Sequence, residues 1–144
     1  MKKIILFAFI FSASLSFSQN WTTSLDAAKT EAISSNKNIL LVFSGSDWCA
    51  PCIKLDRTIF QSDVFQSEAE KKWVLLKADF PKKKGNLLSA EQTESNKKLA
   101  EKYNKEGNFP LVVLLDATGK VLGITGYKNV SPTEYVQLLN AMVN

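Results

Sequence analysis

Three short apolar runs limit the folds open to this chain: NILLVFS at 38–44, WVLLKADF at 73–80 and PLVVLLD at 110–116. Each is shorter than an ordinary core helix. None shows the regular polar alternation of a strand with one face in water, so they suit strands buried on both faces. Such strands need cover on both sides, and the intervening sequence supplies it. Residues 23–35 carry Leu25, Ala28, Ala32 and Ile33 at helical spacing, and Thr23 with Asp26 matches a capping pattern. A helix that starts near residue 50 carries Cys52, Leu55 and Ile59 along one side, and another turn of helix falls at 63–71. Ser89 and Gln92 form a capping box beside Leu88. They start a helix that runs to Tyr103, with Gly107 as its terminator. After the third run, Asp116-Ala117-Thr118-Gly119 is a turn, and 120–127 returns as a fourth strand of a hairpin. Ser131-Pro132-Thr133-Glu134 then gives a helix start, with Tyr135, Leu138, Leu139 and Met142 as its buried stripe. The order predicts one α/β domain: a mainly parallel sheet, made mixed by an antiparallel edge hairpin and flanked by helices.

Residues 1–18 stand apart. Lys2 and Lys3 precede an apolar stretch with small residues, and Ser16 and Ser18 are spaced for cleavage after Ser18. This is the pattern of a secretory signal peptide, and its apolar run is short for a membrane span. The expected organisation is a signal peptide at 1–18 and one domain at 19–144, exported to the periplasm or secreted. Of the 18 basic residues, Lys2 and Lys3 leave with the signal, so the remainder is nearly balanced against 14 acidic ones. That balance argues against a nucleic-acid partner. Lys82-Lys83-Lys84 reads first as a solvated loop and second as a docking patch for an acidic partner.

The chemistry is concentrated in GSDWCAPC, 45–52, which holds both cysteines. A structural zinc site needs four ligands, and the chain has two cysteines and no histidine. Haem attachment needs a histidine after the second cysteine, where Ile53 stands. An inert disulfide across two residues closes a small loop and constrains the unfolded chain little. Redox chemistry is the reading with local support. A strand ends just before the motif and a helix begins within it, so Cys49 falls at a helix start where a thiolate is favoured. Cys52 is one turn further on, within reach of a sulfur held on Cys49. Pro51 is tolerated in the first turn, and Trp48 gives an apolar lip.

Trp48-Cys49-Ala50-Pro51-Cys52 after a buried strand resembles the WCxxC motif of the thioredoxin superfamily, in particular its small exported bacterial members. The resemblance covers residues 21–144 and implies a thioredoxin-like fold. Its second anchor is Asn108-Phe109-Pro110. The resemblance implies that Pro110 is a cis-proline facing the cysteines and that Trp48, Phe109 and Pro110 contact substrate. It also implies thiol–disulfide oxidoreductase activity through Cys49 and Cys52, without metal or organic cofactor. The expected partners are protein disulfides and a membrane or periplasmic thiol electron donor, met by a monomer. Two departures stand out. Phe43 occupies the strand position where many thioredoxins carry a buried acid, leaving Asp47 and Lys54 as candidates for proton transfer or pKa tuning. Phe109 is bulkier than the residue usual before the cis-proline. CxxC proteins span about 150 mV, roughly 7 kcal/mol, between reductants and oxidants. Ala50-Pro51 resembles the reducing members, so a reductase is the leading expectation. A disulfide oxidase or isomerase, or a binding module with a structural disulfide, is the alternative.

Overall fold

The computed structural model describes residues 19–143. The signal peptide expected at 1–18 lies outside the described residues. The elements run β1 (Trp21–Thr22), α1 (Leu25–Ser35), β2 (Asn38–Ser44), α2 (Ala50–Leu55), a π turn (Asp56–Phe60), α3 (Asp63–Lys72), β3 (Trp73–Asp79), a 3-10 turn (Lys84–Asn86), α4 (Ala90–Tyr103), β4 (Leu111–Leu115), β5 (Val121–Thr125) and α5 (Pro132–Ala141).

The sheet order is β1-β3-β2-β4-β5. β3 lies parallel to both β1 and β2, whereas β4 is antiparallel to β2 and β5 antiparallel to β4. The sheet is thus mixed, with the β4–β5 hairpin at one edge. It is not mainly parallel, because β4 already runs against β2 in the interior. The full register from Asn38↔Trp73 to Ser44↔Asp79 aligns the ends of β2 and β3, and this shared end carries the cysteine loop.

Alternation along β2 divides the interior into two cores. Leu40 and Val42 join Leu55, Ile59, Phe60, Phe65, Trp73, Tyr135 and Leu139 on the face covered by α2, α3 and α5. Ile39, Leu41 and Phe43 join Ala28, Ala32, Leu99 and Tyr103 on the face covered by α1 and α4. The result is a three-layer α/β/α sandwich in which the central strands are buried on both faces. On α1, Ala28 and Ala32 are buried but Ile33 is 69% exposed, so the helix meets the sheet on its small residues. Its N-cap is Ser24, whose Oγ accepts from the Ala27 amide, rather than Thr23. Gln92 completes only half the box expected at α4. Its amide donates to Ser89 Oγ, but its side chain donates to Thr23 O and Asn96 Oδ1. α5 forms the complete box, with Ser131 and Glu134 bonded reciprocally.

Candidate active site

β2 ends at Ser44 and the chain turns sharply through Gly45. The Cys49 amide donates to Gly45 O at 2.9 Å, closing the loop that delivers Cys49 to the start of α2. A Cβ at Gly45 would collide with the Trp48 indole, so glycine is required there to seat the ring. Cys49 is the N-cap of α2: its backbone is extended and its Sγ accepts the Cys52 amide at 3.3 Å. Pro51 sits in the first turn, where no amide is needed. Cys49 and Cys52 are joined in a disulfide, with Cα atoms 5.2 Å apart.

Both cysteines are largely covered, at 5% and 4% exposure, so burial does not separate their roles. Position does. Cys49 is at the helix end with an amide aimed at its sulfur, an arrangement that stabilises a thiolate. Cys52 is inside the helix. Directly after α2 the π turn, marked by the Gln61 amide reaching Asp56 O, lets both Ile59 and Phe60 point into the core. Phe60 packs tilted against Trp21 and Phe65 and edge-on to Tyr135, at centroid distances of 5.5, 4.8 and 6.4 Å. The helix that carries the cysteines is therefore bolted to the sheet through a cluster of aromatic rings. Tyr135 donates its hydroxyl to Gly126 O, and burial pushes its pKa up, so it stays neutral.

Trp48 is 39% exposed. Its Nε1 donates to Phe80 O at 2.7 Å, and its ring meets Phe109 edge-on at 5.5 Å. Phe109 in turn meets Phe80 at 5.4 Å. The Phe109–Pro110 peptide is cis, and Pro110 is buried immediately before β4. Leu111 pairs with Phe43, so the Phe109–Pro110 turn lies at the same end of the sheet as the cysteine loop. The sequence-predicted Trp48, Phe109 and Pro110 are thus brought together with the motif.

Asp47 and Lys54 are placed differently. Asp47 Oδ1 accepts from the Lys82 amide, while its Oδ2 accepts from the Lys83 amide and from Asn86 Nδ2, at 2.9, 2.9 and 3.1 Å. These donors, the Lys82 amide foremost, hold its carboxyl below its ordinary pKa of 3.8. The carboxylate is committed to the 81–87 loop. Lys54 is exposed, with its Nζ 5.5 Å from the centre of the Tyr127 ring. Phe43 is wholly buried in the second core, so its position offers no acid. Among the described residues no group of three or more Cys, Asp or Glu is arranged to hold a metal ion.

Sequence reasoning missed three contributors: Phe80 as a member of the aromatic lip, Lys82 as its cap, and Gly45 as its seat. The Lys82 ammonium lies 3.9 Å from the Trp48 ring centre. A glycine two residues before an aspartate at the end of a buried strand does mark a tight turn. Nothing local discloses partners 32 to 39 positions away.

A cysteine pair mounted between a buried strand and a helix N-terminus, with a cis-proline turn at the same sheet end, defines a thioredoxin-type domain. A family model described as thioredoxin-like matches residues 20–117, and the chain belongs to that family. It is 39% identical over 101 residues to a protein of Chlamydia pneumoniae named disulfide bond reductase DsbH. That match spans 70% of this chain and 59% of the relative, so a substantial part of the relative has no counterpart in the alignment. A solved structure described as DsbH oxidoreductase superposes with a TM-score of 0.80 at 32% identity, covering 88% of this chain and 85% of the other. A thioredoxin from Thermus thermophilus superposes with a TM-score of 0.65 at 15% identity, covering 86% of each chain, and shows the fold alone.

Proposed function

We propose that the chain is a thiol–disulfide oxidoreductase working in the reducing direction on protein disulfides. The observation that carries this reading is Cys49 at the N-cap of α2, with the Cys52 amide on its sulfur and Cys52 bonded to it. In the dithiol form, the Cys49 thiolate attacks one sulfur of a substrate disulfide. That S–S bond breaks, one substrate sulfur leaves as a thiolate, and a mixed disulfide joins substrate to Cys49. Cys52, deprotonated, then attacks Cys49 Sγ. The second substrate sulfur departs, the two thiol protons end on the substrate, and Cys49–Cys52 is left oxidised. Two electrons have passed to the substrate, and a dithiol donor at the membrane or in the periplasm restores the starting state.

Trp48, Phe109 and Pro110 form the surface against which the substrate segment lies, its backbone pairing beside the cis-proline turn as a short added strand. Asp47 and Lys54 act on the site through the loop and the local charge rather than by direct proton transfer. No cofactor takes part. The reductive direction is supported by Pro51 before Cys52, where no histidine stabilises the thiolate further, and by the reductase name of the relative. Residues 1–18 serve as the signal peptide, leaving a periplasmic or secreted, monomeric domain from residue 19. The N-terminal sequence of the exported protein tests that boundary.

The test of function is catalysis of insulin reduction by dithiothreitol, together with the reduction potential of the Cys49–Cys52 couple. Accelerated reduction and a potential at or below the glutathione couple are expected. A potential well above it would overturn the reductive direction, and no acceleration would overturn the enzyme reading.

A further inference from the structure

The three consecutive lysines 82–84 lie beside the candidate active site, and the fold invests in holding them there. The Asp47 carboxylate takes the amides of Lys82 and Lys83 and the side chain of Asn86, which fixes the loop backbone. Asp79, at the end of β3, takes the Ser46 amide and hydroxyl, tying the cysteine loop to the strand that leads into the lysines. Lys82 then lies over the Trp48 ring, next in sequence to Cys49. An ammonium over a ring face keeps N–H donors for a further anion. The side chains of Lys82, Lys83 and Lys84 are exposed, and among the described residues none of them forms an ion pair. Two carboxylates of this corner, Asp47 and Asp79, are engaged by amides and a hydroxyl, and the three exposed ammonium groups outnumber them. The outward charge is therefore positive, and it sits on a rim whose centre is apolar: Trp48, Phe109 and Phe80.

We infer that the 81–87 loop is a recognition element that selects substrates with acidic residues flanking the disulfide, next to an apolar residue that rests on the Trp48–Phe109 lip. This rests on the oxidoreductase reading and names its substrate class. Opposite charge speeds encounter and fixes the side from which a segment enters, and it does so less as salt rises.

The test uses three cystine peptides of one design, with glutamate, glutamine or lysine at the flanking positions, and the reduced full-length domain. At low salt the glutamate peptide is expected to be reduced about tenfold faster, by kcat/KM, than the lysine peptide. In 0.5 M salt the gap is expected to close to within about twofold. Replacing Lys82, Lys83 and Lys84 together by glutamine equalises the three peptides. Replacing Lys37, Lys71 and Lys72, which precede β2 and β3 at the far end of the sheet, makes the same change in net charge and preserves the preference. Equal rates for the three peptides, a preference that survives loss of Lys82–84, or a preference lost equally in the far-end variant would overturn the inference. Should the domain reduce none of the peptides, the oxidoreductase reading fails. The loop is then judged by anisotropy of labelled peptides with serine for cysteine. Tighter binding of the glutamate peptide, lost on removal of Lys82–84, supports it, and equal binding of all three overturns it.

Discussion

On one side of the Cys49–Cys52 bridge, the chain is fixed from below by hydrocarbon; on the other, it is fixed from the flank by hydrogen bonds. The cysteine helix passes through the π turn into Ile59 and Phe60, which pack in one core with residues of β2 and α5, Phe60 meeting Tyr135 edge-on. The 81–87 loop has no such anchor. It is held by Asp47 and, through the adjoining strand end, by Asp79 and Asn96. The contrast assigns different tasks. Burial makes a rigid mount, suited to a sulfur that must meet another along a defined line. Polar pins on an exposed loop give a defined but adjustable edge, suited to choosing what comes near.

The largest break in this comparison comes from Phe60→Ala. Truncating a buried aromatic costs about 3–5 kcal/mol, so the denaturant midpoint should fall sharply and exchange activity with it. A loss under about 1 kcal/mol would mean that the aromatic cluster does not mount the helix. Next is Asn96→Ala. Asn96 is buried, donates to Asp79 O at 2.8 Å and accepts from Gln92. Its loss strands those groups at a cost of about 1–3 kcal/mol, again read by denaturation, with the effect on substrate KM exceeding that of Phe60→Leu. Asp47→Ala should act almost wholly on the loop. Thermal unfolding shifts little, while KM for protein disulfides rises several-fold with a smaller change in kcat. Equal falls in kcat and in kcat/KM at constant KM would instead assign Asp47 to proton transfer.

The smallest effect is that of pH. The folded pKa of Asp47 is lowered, so its clamp is fully present above the ordinary value of 3.8 and is lost as pH falls through the lower folded value. The amide resonances of Lys82 and Lys83 should hold steady from neutrality to about pH 4 and move only below it. Movement between pH 5 and 7 would contradict the clamp.

The core-mounted half of this picture was legible in the sequence. The runs at 38–44 and 73–80 could be read because a doubly covered strand needs apolar residues on both faces, and both formed as strands at nearly those bounds. The cysteines and Trp48 could be read because a strand–turn–helix junction is local. Strand direction could not: a helical crossover such as α4 can return a strand in either sense, and β4 enters antiparallel. β1 escaped because two residues carry no period. Helical spacing puts Ile33 on the inward stripe, but α1 meets the sheet through Ala28 and Ala32, and this leaves Ile33 exposed. The pinned half was illegible for one reason. Its bonds join Asp47 to residues 35 to 39 positions away, and an aspartate in a turn looks the same whether it faces water or a loop.

The central claim is that the attacking sulfur is the one at the helix cap. Mass spectrometry of Cys52→Ser, reduced and mixed with a cystine-containing substrate protein, tests it directly. A stable mixed disulfide mapped to Cys49 is predicted, with no comparable adduct in Cys49→Ser. An adduct forming on Cys52 in the Cys49→Ser variant, as fast as on Cys49 in the other, would contradict it.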